Sequence, residues 1–263
     1  MLELSRRDHP IADGIDGRVA VITLCRPPVN AIDDAMILAF HRVLDELNMR
    51  RDWQVLHIRS AQKVFAAGAD LSLLRSWGTA ASPAAALSGY VERLQNLYNR
   101  IESLAQVTFC EIGGAAMGGG FELALSCDLR MAAQEAKLGL PEVGIGLIPG
   151  AGGTQRLTRL CGRGIAARVI LGCEPIDGST AATLGMVEWA IPRDRIEAEA
   201  RIATDRIAAL PEHSQRVAKQ CIDAFGSTAQ HGFTLERQAG GALLDTPRTQ
   251  ELIGAFLERN SRK

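Results

Sequence analysis

The chain has 263 residues, 47% of them hydrophobic, with 29 basic and 30 acidic side chains and a formal charge of −1. That is enough for one large core, or one core plus an appendage, and the near-neutral balance argues against a nucleic-acid or membrane-binding surface. Every apolar run stops short of the roughly 20 residues needed to cross a bilayer, and the six cysteines (25, 110, 127, 161, 173, 221), with no CxxC pair, fit reduced, buried thiols in a cytoplasmic protein.

The N-terminal stretch MLELSRRDHPIADGID carries Glu3, Asp8, Asp13 and Asp16. It lacks the apolar core of a signal peptide and the acid-poor character of a transit peptide, so a cytoplasmic location is expected. Next, 18–26 (RVAVITLCR) is a β-branched strand. Residues 33–49 open on aspartates suited to capping, and Met36, Phe40, Val43, Leu44 and Leu47 follow at helical spacing. A second strand is expected at 53–60, and a turn into a short helix at 65–77. An amphipathic helix is expected at 83–104, with Leu87, Val91, Leu94, Leu97, Ile101 and Leu104 as its stripe. Residues 107–114 are a strand, followed by a helix on MGGGFELALSCD, and 129–133 is short and extended. After Asp177 the chain turns mostly helical apart from 186–192, with helices expected at 193–210, 211–225 and 246–259. Strands alternating with helices up to about residue 192, then helices alone, give an α/β core at 1–192 and a helical C-terminal domain at 193–263.

Three glycine-rich points carry the chemistry: FAAGAD (65–70), MGGGFE (117–122) and IPGAGGTQR (148–156). A dinucleotide fingerprint fails, because Gln155 stands where a third glycine is needed after Gly150 and Gly152. No P-loop lysine follows any of them, no Gly-x-Ser-x-Gly elbow exists, and the five histidines show no metal-ligand spacing. The first two turns each open a predicted helix, where unpaired N–H groups and a partial positive charge face outward. Two such donors on one oxygen would form an oxyanion hole; the competing reading is glycine serving tight helix–strand packing. Glu122 lies among apolar neighbours, where an unpartnered carboxylate is costly; its competing reading is an acid favoured by a helix start. Glu142, in LGLPEVGIG, is a second carboxylate in apolar surroundings, or else a solvated loop acid.

Taken together, RPPVNAID, FAAGADL, GGAAMGGGFELALSCDLRMAA, LGLPEVGIGLIPGAGGTQRLTRLCG and FLERNSRK resemble, in order, the segments of the enoyl-CoA hydratase/isomerase (crotonase) superfamily, and most closely an enoyl-CoA hydratase. The resemblance implies a crotonase-like spiral of β-β-α turns and a C-terminal helical trimerisation domain, assembling as a homotrimer or as a hexamer of paired trimers. It implies an acyl-CoA thioester substrate, with CoA as part of that substrate, and no cofactor, metal, nucleic acid or membrane. It places the oxyanion donors at the N–H groups of Ala69 and Gly119 and the two acids at Glu122 and Glu142. It gives Arg26, Val29, Ala31, Ala67, Gly68, Asp70, Leu71, Gly118 and Pro141 as substrate contacts, with Arg259, Arg262 and Lys263 reaching a neighbouring subunit's ligand. The implied reaction is hydration of trans-2-enoyl-CoA to 3-hydroxyacyl-CoA in fatty-acid or related acyl-CoA degradation. The alternatives are a Δ3,Δ2-enoyl-CoA isomerase, which would need only the Glu142 position, and a non-catalytic CoA-binding paralogue. Gly113, Val107 and Leu140 depart from the usual asparagine, proline and glutamine, and Leu140 changes the polarity around Glu142. The segment 72–90, with Trp77, is expected to border the acyl pocket.

Overall fold

A hairpin opens the described residues: β1 (Ile11–Asp16) runs antiparallel to β2 (Val19–Leu24), paired from Ile11 with Leu24 to Asp16 with Val19. The structure is a computed structural model and describes residues 10–70, 73, 82–224, 247 and 251. Helix α1 (Asp34–Asn48) starts at Asp33, whose carboxylate accepts from the Met36 N–H at 2.9 Å, a cap of the kind worth about 1 kcal/mol. Its stripe of Met36, Phe40, Val43, Leu44 and Leu47 is buried, as the 3.6-residue spacing requires. β3 (Val55–Ser60) then lies parallel to β2, with Val55 opposite Val19.

From β3 onward the chain winds as a spiral. Helix α2 (Pro83–Glu102) leads to β4 (Val107–Ile112), β5 (Ala116–Met117) and α3 (Gly119–Leu125). β6 (Leu129–Ala133), β7 (Lys137–Gly139), a 3-10 turn (Pro141–Ile145) and α4 (Gly153–Leu171) make the next coil. β8 (Ile176–Asp177), α5 (Gly178–Thr183) and β9 (Trp189–Ile191) follow. The long strands form one six-stranded sheet in the order β1-β2-β3-β4-β6-β9, parallel from β2 onward. The short strands form a second sheet, β5-β7-β8, which a one-residue parallel bridge between Ala66 and Ala116 extends back to the preceding coil. Each coil thus contributes to the large sheet, then to the small one, and then enters a turn.

Among the described residues each long run of alternating or helical apolar spacing takes the form expected, and β4 ends at Ile112, two residues before the expected limit. The chain divides into two compact units after Ala208. Helix α6 (Ile196–Ala208) belongs to the first unit and packs on β2, β3, β4 and β6 through Ala200, Ala203 and Ile207. Helix α7 (Glu212–Asp223) belongs to the second and begins with an acid that suits its N-terminal dipole. The helix expected at 246–259 and the basic tail lie outside the described residues, as do Leu71, Trp77 and most of 72–81. All six cysteines are free thiols.

Candidate active site

Two turns meet within the first compact unit. The Ile32 N–H donates to the Gly68 carbonyl at 2.7 Å and the Asp70 N–H donates to the Ile32 carbonyl at 3.2 Å. These bonds make a parallel bridge between Ile32 and Ala69. In a parallel bridge the residue held between the two bonds turns its own N–H away from the partner segment. The Ala69 N–H therefore faces the opposite side, and no described backbone carbonyl accepts from it. Gly119 is the first residue of α3, so its N–H has no acceptor within its own helix. A Cβ placed on Gly119 would stand 3.9 Å from the Ala69 nitrogen, which puts the two N–H groups side by side. Gly68 allows this approach: a Cβ there would fall 2.9 Å from the Met117 carbonyl oxygen and 3.2 Å from the Gly119 nitrogen. From α2 the buried Tyr98 hydroxyl donates to the Gly119 carbonyl at 2.7 Å, fixing the peptide on the far side of that residue.

Glu122 follows one turn later and is only 3% exposed. Its Oε1 accepts from the Gly153 N–H at 2.8 Å. Burial pushes its carboxyl up to about 7. The Gly153 N–H opposes that rise, the Glu142 charge adds to it, and the Ala151 N–H and Arg156 oppose it more weakly. Leu140 is fully buried; a Cβ on Gly153 would stand 2.9 Å from Glu122 Oε1 and 3.0 Å from Leu140 Cδ1. The apolar residue at 140 therefore borders the carboxylate and contributes to its desolvation. Glu142 sits in the first turn of the 3-10 segment, half-buried, with its carboxyl also raised by burial. Its Oε2 is shielded from solvent and accepts no hydrogen bond from any described residue. Gly118 answers a double demand. Its φ is +53°, disfavoured for any side-chain-bearing residue, and a Cβ there would meet Glu142 Oε1 at 2.9 Å.

These groups share one cavity of about 270 Å³. Ala67, Gly68, Ala69, Gly118, Gly119, Glu122, Pro141 and Glu142 line one side of it. Leu87, Tyr90, Val91, Leu94, Leu147 and Ile148 line the other. Arg26, Val29, Ala31 and Asp70 stand outside this lining and brace its first turn. Arg26 pairs with Asp70 at 2.7 Å and with Asp33 at 3.1 Å, and donates to the Ala31 carbonyl at 2.9 Å. The Ala67 N–H donates to the Val29 carbonyl at 3.0 Å. A larger hollow, about 380 Å³, lies between β1–β3 and α6. Its arginines and His57 are already paired, Arg59 with Glu197, Arg201 with Asp16 and His57 with Glu111, so the smaller cavity is the one with reactive groups free to meet a ligand. Among the described residues no cluster of three or more metal-ligating side chains forms.

Residues 14–263 match the family described as enoyl-CoA hydratase/isomerase. The chain belongs to that family. A probable enoyl-CoA hydratase of Bacillus subtilis (strain 168) is 35% identical over 257 residues, 95% of this chain and 96% of that protein. Among solved structures, DspI of Pseudomonas aeruginosa superposes with a TM-score of 0.88 at 32% identity, covering 98% of both chains. An enoyl-CoA hydratase from Bacillus anthracis superposes with a TM-score of 0.88 at 31% identity, covering 95% of this chain and 96% of that one. The α/β spiral is thus the crotonase fold of enoyl-CoA hydratase/isomerase family members.

Leu87 and Tyr90, at the end of the segment 72–90 expected to border the pocket, line the cavity. Several other residues at this family member's site escaped sequence reasoning: Val91 and Leu94 carried the signal of a core stripe, yet they face the cavity. Tyr90 and Tyr98, the chain's only two tyrosines, lie eight residues apart on one buried helix face. Two hydroxyls on an otherwise apolar face were the signal available, since buried tyrosine hydroxyls find partners. Arg156 gave no signal at all.

Proposed function

We propose that the protein is an enoyl-CoA hydratase that adds water across the 2,3 double bond of trans-2-enoyl-CoA to give 3-hydroxyacyl-CoA. The observation that carries this reading is the sharing of one apolar cavity by two carboxyl groups, Glu122 and Glu142, and two adjoining backbone N–H groups, Ala69 and Gly119. The thioester oxygen sits between the two N–H groups, which stabilise the negative charge that develops there as water adds at C3; losing one such donor costs about 10²–10³-fold. Glu122 and Glu142 hold the water from two sides and exchange its proton with C2. The closeness of the two charges favours one shared proton near neutrality. The reaction needs no metal or redox group, because backbone donors carry the charge and two carboxyls carry the proton. Ala67, Gly68, Gly118 and Pro141 contact the thioester end. Arg26, Val29, Ala31, Asp70 and Leu71 belong to the CoA side. Acyl-CoA degradation in the cytoplasm is the setting this reading gives.

Family membership together with exposed apolar side chains, Leu210 and Ile222 at 49% and 72%, supports assembly through the chain after residue 192 into a trimer or a pair of trimers; light scattering at micromolar protein reads this directly. The reaction is tested with Glu122→Gln and Glu142→Gln, assayed for 2-enoyl hydration and 3-enoyl isomerisation. Hydration in both variants should fall by about 10²-fold or more, with acetoacetyl-CoA binding retained. Isomerisation that depends on Glu142 alone, with hydration absent from the wild type, would instead make the protein an isomerase.

A further inference from the structure

Arg156 is a cation placed against the local field. It lies in the first turn of α4 and is 6% exposed, where the helix end is already partially positive and disfavours a positive side chain. Its guanidinium folds back over the helix cap, Gly152, which has φ +106°; a Cβ at that glycine would lie 2.1 Å from Nη1. Nη1 donates to the Ala151 carbonyl at 2.9 Å. Nε and Nη2 donate to Glu102 Oε2 at 3.0 and 2.8 Å, and Nη2 also donates to Asn99 Oδ1 at 2.7 Å. Asn99 and Glu102 are three residues apart on α2, on one helix face. One turn earlier, Gln95 Nε2 donates to the Gly150 carbonyl at 2.6 Å. The turn 150–153 is therefore pinned to α2 at both ends, and it is the turn whose Gly153 N–H meets the Glu122 carboxylate.

A buried arginine with this many partners is costly to desolvate, and an apolar side chain could fill the volume with less penalty. What an apolar residue could not supply is the set of donors that ties the turn 150–153 to α2. We propose that Arg156 is a positioning residue for Glu122. Through Asn99 and Glu102 it fixes the turn whose Gly153 N–H meets the carboxylate. The kinetic side of this inference rests on the hydratase reading; the ionisation side does not.

The test is a ¹³C-glutamate NMR titration of Glu122, assigned with Glu122→Gln, in the wild type and in Arg156→Met, Arg156→Lys and Glu102→Gln. Arg156→Met should raise the midpoint by about half a pH unit or more, and the pH–kcat limb of hydration should move with it while KM changes little. Arg156→Lys keeps the charge but not the planar fork, so the midpoint should stay displaced and kcat stay about 3- to 10-fold low; a midpoint restored by lysine would make the effect one of charge and overturn the positioning role. Glu102→Gln weakens the same anchor at a more exposed, size-preserving position that also pairs with Arg159, so kcat should fall with KM little changed and the midpoint should move from the wild-type value; this variant decides the question even if Arg156→Met does not fold. Unchanged midpoints in Arg156→Met and Glu102→Gln, with activity lost equally at every pH, would make Arg156 a fold anchor alone. A wild type without hydration would remove the proposed function and leave the titration to judge Arg156.

Discussion

Replacing Glu122 by Gln should stabilise the protein at alkaline pH while disabling it. In the folded state Glu122 keeps its proton up to about pH 7, against an ordinary carboxyl value of 4.5. Between those values the folded state binds more protons than the unfolded chain, so stability falls as pH rises through that window. Below the lower value both states are protonated, and above the upper one both are ionised and the loss is complete. Integrated from pH 5 to pH 8, a displacement of this size amounts to about 2.5 kcal/mol, at about 1.4 kcal/mol per pH unit. Gln keeps an acceptor for the Gly153 N–H and does not titrate. The stability of the variant minus that of the wild type should therefore grow by about 2.5 kcal/mol between pH 5 and pH 8. Urea unfolding of both proteins at both pH values, at one fixed protomer concentration, measures it. An equal gap at the two pH values would refute the buried, late-ionising Glu122 on which the mechanism rests.

Gly118→Ala should cost about 1–3 kcal/mol in stability and most of the hydration activity, because the new Cβ meets Glu142 Oε1 in a left-handed backbone; a melting curve and a progress curve read both. Tyr98→Phe leaves the Gly119 carbonyl without its donor; about 1–2 kcal/mol should be lost, with kcat reduced and binding of acetoacetyl-CoA little changed. Asp33→Ala removes the α1 cap and one of the two carboxylates paired with Arg26, so denaturation should show a loss of about 1 kcal/mol or somewhat more.

How much could be read without coordinates depended on the range of the interactions. Helix α1 was legible to within a residue because its cap and its stripe are local. The resemblance of the ordered segments pointed to Ala69, Gly119, Glu122 and Glu142 because a motif is also local, and these four line one cavity. β1 was missed: IADGID has only Ile11 fully buried, so alternation gave no signal. Helix α4 was missed because a glycine cap opens it and Gly162, at φ +80° and ψ 164°, interrupts it, breaking the 3.6-residue pattern. The meeting of 65–70 with 117–122, and of Arg156 with Asn99 and Glu102, joins residues about fifty positions apart. Nothing in a local window encodes such a meeting. Arg156 in particular sits in a sequence, GTQRLTRL, that fits a solvated helix face equally well.

The spiral pairs Ala66 with Ala116 and Ala116 with Leu138 across the small sheet. Ala69 and Gly119 each lie three residues beyond those paired positions, and Glu142 lies four beyond Leu138. Successive coils therefore deliver their groups to the same spot, like rungs of a ladder: Ala69 from the first, Gly119 and Glu122 from the second and Glu142 from the third. Between one delivery and the next strand of the large sheet, the chain can change length without disturbing any rung already set. The stretch between Asp70 and α2 is such an interval, whereas the turn 150–153 is not, because its Gly153 N–H holds Glu122. Insertions or deletions in such an interval would leave the reacting atoms in register. Selection can thus vary chain length in the intervals and hold the chemistry constant in the rungs.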